Sequence, residues 1–452
     1  MEGFDDDFAV VIGNPEGNSP TEVTVRRMGA VVATAVVMPG TSQSVELMMV
    51  PSLSQALTSN LVPQGAYEVS TSVPVAAYQF SPLHFEMDGA YSYSNDASLL
   101  LPEHALTGDY MVSTHPSWGV GGWDEEGAGA WLFAYPGFVA VAATVDGTSV
   151  TVLPRGDTAG SVPSAMSDGD QETVVLDRGD VLQVLSAMPG SVEQSWCEDQ
   201  GWPWWLGPCD ENTCGLCRIM PADLTGTVVQ ADAPVAVFAG HRCTNVPFSS
   251  AACDHLEEMV LPTGIWGTVM VLTAPVMPGG NGVAPALYRV LALQDTTTVA
   301  FEPAVHEPVT LAAGGFVEFQ TAQDFVVEGS GPIHATQTLL GQDELGSETG
   351  DPAMGTGIPW QQVRQEYDFL TPTTFDASYV NIVAPAGITV ELDGLVVGGF
   401  ESIPGTGYEV ARVPLSSGPH RVQSSGGGFG ITTYGYARYT SYLYPGGLDL
   451  AP

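Results

Sequence analysis

The chain has 452 residues, too long for one small module and enough for about three hydrophobic cores. Hydrophobic residues make up 44% and charged residues 14%, which excludes a disordered chain, and 53 Gly and 34 Pro without a collagen period point to many tight turns and an all-β protein. Fifty-one acidic residues face 11 basic ones, all arginine, for a net charge of −40, which excludes nucleic acid and anionic membrane surfaces as partners; no apolar run is long enough for membrane insertion. The acidity reads as solubility in a salty or extracellular medium. Calcium binding by some of the carboxylates is the alternative, and no other cofactor is expected.

In chain order, Met1 to Asp7 is acidic, the opposite of a basic signal-peptide start. The expected location, secreted or cell surface, therefore implies a signal segment absent from this chain. A block of alternating apolar positions around a short turn occurs at Phe138–Pro154, Leu287–Pro303 and Ser378–Gly394, with a looser copy at Phe8–Gly29. It is predicted to form a β-hairpin. Each copy is followed by a strand led by Gly40, Gly179, Gly315 or Gly407 and then by a second predicted hairpin, ending at Phe80, Gly240, Thr338 or Tyr436. Pro74, Pro234 and Pro332 open its second strand in three copies, where a missing N–H is tolerated; the fourth copy uses glycines. The repeats predict tandem antiparallel β-sandwich-like units packed together with minor helix: residues 8–80, 98–240, 255–338 and 362–447.

Three crossovers share an Asp and a Pro: Asp96 to Pro102, Asp254 to Pro262 and Asp351 to Pro359. The aspartates read as turn or strand-end caps, with calcium ligation as the alternative. The second unit carries an insertion at about residues 187–221 holding Trp196, Cys197, Trp202, Trp204, Trp205, Cys209, Cys214 and Cys217. Two disulfides among its cysteines are the first reading and a four-thiolate zinc site the second. Its tryptophans read either as the small core of a stapled loop or as an exposed aromatic surface for a sugar or protein partner. Cys243 and Cys253 read as a disulfide staple, against a nucleophilic cysteine served by His241 or His255. Arg155–Asp157 and Arg178–Asp180 are Arg-Gly-Asp tripeptides beside predicted turns and read as turns. No P-loop, dinucleotide, G-x-S-x-G or H-E-x-x-H pattern occurs.

Pro234-Val-Ala-Val-Phe-Ala-Gly-His-Arg-Cys243-Thr-Asn-Val-Pro, Ala252-Cys-Asp-His-Leu-Glu-Glu258, Leu261-Pro262 and Trp266-Gly267 resemble the N-terminal domain of IgGFc-binding proteins, as do Gly350-Asp-Pro352, Tyr379–Pro385, Leu392-Asp-Gly394, Tyr434-Gly-Tyr436 and Tyr444-Pro-Gly-Gly447. The resemblance runs from about Phe8 to Gly447; the insertion departs from it. It implies an extracellular recognition module without catalytic residues, linked in the animal founder to the Fc part of immunoglobulin and to mucus, and found also in secreted bacterial proteins. This chain lacks the cysteine-rich von Willebrand type D repeats of the animal protein, so mucin association does not come with it.

The expected function is recognition or adhesion, with a protein or glycoprotein partner and glycan as a further candidate. The alternative is a structural subunit of a surface layer or fibre that self-associates by strand addition. An enzyme acting on polysaccharide ranks last, because no spacing singles out a carboxylate pair. The binding site is expected at Trp196, Trp202, Trp204 and Trp205 with the neighbouring crossover.

Overall fold

A computed structural model describes residues 8–15, 17, 19–87, 90–123, 128–188, 192–193, 202–206, 215–250 and 253–450. The fold is all-β and its sheets are antiparallel. Helix is confined, among the described residues, to Pro51–Ser54, Gln342–Leu345 and three single 3-10 turns. Those turns, Glu103–Ala105, Thr263–Ile265 and Trp360–Gln362, each start directly after a crossover proline, Pro102, Pro262 or Pro359. Proline fits there because the first residues of a helical turn have no use for its missing N–H.

In the first sandwich one sheet has the order Asp96–Leu99, Ala76–Ser81, Phe8–Asn14, Thr41–Leu47 and the other Ala30–Val37, Thr21–Arg27, Glu68–Thr71. Val10, Ile12, Val23, Val25 and Val45 fill the space between them.

The second and third sandwiches are each organised by one long strand. Val228–Thr244 pairs through Val228–Ala231 with Thr148–Leu153 and through Val235–His241 with Gly137–Ala143. Pro234 sits where it passes from one layer to the other. Phe325–Leu339 does the same, pairing Val326–Gly329 with Thr297–Glu302 and Ile333–Leu339 with Ala286–Ala292, with Pro332 at the bend. In the fourth sandwich the two halves are separate strands, Gly418–Ser424 and Gly430–Ala437, in different sheets.

The repeated blocks are therefore not hairpins. Gly137–Ala143 and Thr148–Leu153 share no ladder with each other, and neither do Ala286–Ala292 and Thr297–Glu302. The chain arches from one layer to the facing layer. A hairpin and an arch both bury every second residue, so alternation cannot separate them; they differ in whether backbone hydrogen bonds close across the turn.

Candidate functional site

Each sandwich ends in a strand laid along its neighbour: Asp96–Leu99 on Ala76–Ser81, Asp254–Met259 on Val228–Thr244, Met354–Thr356 on Phe325–Leu339 and Thr440–Pro445 on Gly430–Ala437. These four strands meet around one axis and close a ring, each packing against the next and the last against the first. Asp96 ties three of the polypeptide's crossovers together: one carboxylate oxygen accepts from the Ala97 amide at 2.8 Å, and the other from the amides of Glu257 and Met354 at 3.0 Å each. The Met259 amide donates to Ser98 Oγ at 2.7 Å, the Thr356 amide to Glu258 Oε1 at 3.0 Å, and Thr440 Oγ1 to Asn95 Oδ1 at 3.0 Å.

The sequence reading of the aspartates as caps is realised in Asp96 and Asp254, whose oxygens accept the amides of Ala97 and His255. What the sequence did not reveal is that all three, with Glu258, are buried where the four strands meet. Burial pushes the carboxyls of Asp96, Asp254 and Asp351 well above the ordinary range, and the Asp351 charge adds to the shift of Asp254. Burial likewise pushes Glu258 up to about 8. Burial of this kind favours the uncharged form, and the groups serve as packed hydrogen-bonding groups. Among the described residues no three His, Cys, Asp or Glu side chains are arranged to hold a metal ion.

The candidate binding elements lie on the second sandwich. The described part of the insertion forms two strands of a five-stranded sheet with the order Val192–Glu193, Ala128–Tyr135, Trp118–Trp123, Gly215–Ile219, Trp202–Leu206. Trp202, Trp204 and Trp205 thus lie on its outermost strand, and Cys217 on the adjacent one. Trp196, Cys197, Cys209 and Cys214 fall outside the described residues, and with them the choice between disulfides and zinc.

Cys243 and Cys253 form a disulfide, with Cα atoms 5.1 Å apart. Neither is a thiol, so the nucleophile reading falls. His241 Nδ1 accepts the Cys243 amide at 3.1 Å, and burial lowers its pKa to about 3. The stapled loop and the insertion sheet are joined by Trp118, whose indole Nε1–H donates to the Cys243 carbonyl while its ring packs against Tyr135 at 5.5 Å and Phe248 at 6.4 Å. The two elements expected to work together are neighbours.

Arg178-Gly-Asp180 is locked between the first two sandwiches. Arg178 pairs with Glu68 at 3.2 Å and Glu103 at 3.3 Å, and Asp180 Oδ1 accepts the Gln64 amide at 2.9 Å.

Comparison with known proteins adds the family. The IgGFc binding protein family model matches residues 96–435. The chain belongs to that family. The human IgGFc-binding protein is 27% identical over 232 residues, which is 49% of this chain and 4% of the human protein. Of the solved structures, an anti-sigma factor domain-containing protein from Clostridium clariflavum aligns over 98% of this chain and 99% of its own at 7% identity and a TM-score of 0.13. A putative membrane anchored protein from Corynebacterium diphtheriae aligns over 98% of each chain at 10% identity and a TM-score of 0.10. Neither likeness says anything about the fold. No helix among the described residues of this IgGFc-binding family member is long and apolar enough to cross a membrane.

Proposed function

We propose that this chain is an extracellular or cell-surface recognition module that binds a protein or glycoprotein and catalyses no reaction. The observation that carries the reading is membership of a family named for binding an immunoglobulin fragment. The binding surface is assigned to the strand Trp202–Leu206 with the loop stapled by Cys243–Cys253. Two features support it: three tryptophans lie on the outermost strand of a sheet, and Trp118 with the disulfide makes its support rigid. The test is affinity capture by the immobilised chain from surface glycoproteins, with immunoglobulin Fc included, with and without calcium. Capture lost on Trp202→Ala/Trp204→Ala/Trp205→Ala substitution supports the assignment; capture unchanged by it moves the site elsewhere, and no capture in any arm overturns the recognition reading.

One observation favours self-association as a second reading. The strand Ala30–Val37 is the outer strand of its sheet, with Val31, Val32 and Val36 exposed and no charge between Arg27 and Glu46. Edges of this kind add a strand from another chain unless charge prevents it. Sedimentation equilibrium should then show assembly of the wild type that Thr34→Lys abolishes; a monomer at every concentration refutes it.

A further inference from the structure

The four neighbouring pairs of sandwiches around the ring are not alike. Between the fourth and first, Tyr78 meets Tyr444 at 4.5 Å and Phe80 meets Tyr442 at 6.1 Å in one shared core. Between the second and third, buried Arg289 donates to the Thr114 carbonyl at 2.6 Å, to Asp223 at 2.9 Å and to Thr225 at 2.9 Å. Between the third and fourth, Asn381 donates to Thr273 at 2.9 Å and Tyr436 to the Val276 carbonyl at 2.8 Å. The first and second touch differently. Asn60–Val62 pairs with Val181–Gln183, and the Arg178 ion pairs bridge nearby; the two sandwiches also line a partly open cavity of about 1200 Å³.

From these observations we infer that the cavity is a binding site for an uncharged amphiphile, a long apolar body carrying a hydroxyl or amide head. Its floor is the outer face of the second sandwich, where Ala140 and Ala142 lie beside Phe238 and Ala236 in register. Ala140, Ala142 and Ala236 side by side on adjacent strands leave a trough bounded by Phe238, and the facing wall is apolar too, from Phe8, Met48, Tyr67 and Val69. An interior of this polarity takes an apolar body.

The polar lining selects the head. Glu68 and Glu103 are spent on Arg178 and one oxygen of Glu257 on His255 at 3.3 Å, leaving Arg242 and His104 as the other basic groups of the lining. Gln183 and Glu257 are both more than nine-tenths buried in the wall, and each has an oxygen without a hydrogen-bond partner, as has the Nε of Arg242. Donors and acceptors are both present, every carboxylate of this lining already has a partner within the wall, and burying a charged head would be costly. The net charge of −40 further disfavours an anion.

The proposal goes beyond protein recognition and is tested apart from it. The full chain is titrated with the neutral dye N-phenyl-1-naphthylamine, followed by displacement with dodecanol, dodecanoate and dodecyltrimethylammonium. Saturable fluorescence enhancement is expected, reversed by dodecanol at a concentration at least about tenfold below that of either ionic amphiphile, a margin of about 1.4 kcal/mol. Ala140→Trp and Ala142→Trp, which fill the trough, should each abolish dye binding with the circular dichroism unchanged, whereas Val145→Trp at an exposed position should keep it. Absence of saturable binding, or binding that survives both trough substitutions in folded protein, overturns the site. Displacement led by an ionic amphiphile overturns the head-group assignment. Capture of a protein partner through the Trp202–Leu206 strand should not change in Ala140→Trp, so either proposal fails without the other.

Discussion

Tyr110 and Tyr367 each stand eight residues after a crossover proline, and each closes a corner of its sandwich with one hydroxyl. Tyr110 accepts the Thr107 amide at 3.2 Å and donates to the Val235 carbonyl at 2.7 Å; Tyr367 accepts the Arg364 amide at 2.7 Å and donates to the Phe429 carbonyl at 2.5 Å. The third sandwich has Met270 in this place and has no such corner. Removing the hydroxyl leaves a buried carbonyl without its donor, so Tyr110→Phe and Tyr367→Phe should each cost about 1–3 kcal/mol in urea unfolding. A loss within error of zero for both would mean that ring packing alone holds the corners. A second prediction at this scale concerns Glu258, raised by burial from 4.5 to about 8. Because the folded state holds its proton more tightly than the unfolded state, its contribution is fully present below pH 4.5 and is lost as pH rises through 8, at a limiting slope of about 1.4 kcal/mol per pH unit. Glu258→Gln, which cannot ionise, should therefore exceed the wild type in stability above pH 8 and lose that advantage on acidification. Parallel pH–stability curves for the two proteins would place the carboxyl in contact with water.

At the scale of elements, periodicity and turn chemistry made the strands legible, because inward and outward residues alternate whatever a strand pairs with. Partners were not legible. The predicted hairpin at Phe138–Pro154 is an arch, and the predicted hairpin ending at Gly240 is a single strand crossing both layers. Its proline did signal the crossing, since Pro234 falls at the one stretch that needs no ladder hydrogen bond. The crowding where this strand meets Asp254–Met259 depends on Gly240, where an added Cβ would lie 1.8 Å from the Leu256 carbonyl oxygen. That neighbour is backbone and cannot swing aside. Gly240→Ala should destabilise by about 3 kcal/mol or more, with loss of the ring contacts of Glu257 and Glu258; a fall under about 1 kcal/mol would show that the strand can slide. Among the candidate site elements, the Cys243–Cys253 staple was legible from spacing, whereas its link to the insertion through Trp118 was not, because Trp118 lies more than a hundred residues from Cys243.

At the scale of the whole molecule, the four units predicted from the repeats are proposed as structural repeats but not as independent folding units. Core residues of the first sandwich, Val11, Tyr78 and Phe80, belong to the same cluster as Tyr367, Phe375, Tyr442 and Tyr444 of the fourth. Asp96 of the first crossover accepts amides from the second and third, and the last strand closes on the first through Thr440 and Asn95. Such closure is invisible to a one-dimensional pattern, since each repeat alone predicts an ordinary sandwich and none announces its neighbours. It has a thermodynamic consequence: ending the chain after residue 361 removes the fourth sandwich and also strips Tyr78 and Phe80 of the rings they pack on, exposing apolar surface worth about 25 cal/mol per Å². The full chain should therefore unfold in urea in one transition, coincident by tryptophan fluorescence and circular dichroism, while the truncated chain should bind 8-anilino-1-naphthalenesulfonate and lose cooperativity in its first sandwich. Separate transitions in the full chain, with the truncated protein as stable over residues 8–340 as before, would instead mean that the repeats behave as beads on a string and that the ring contributes little to holding the molecule together.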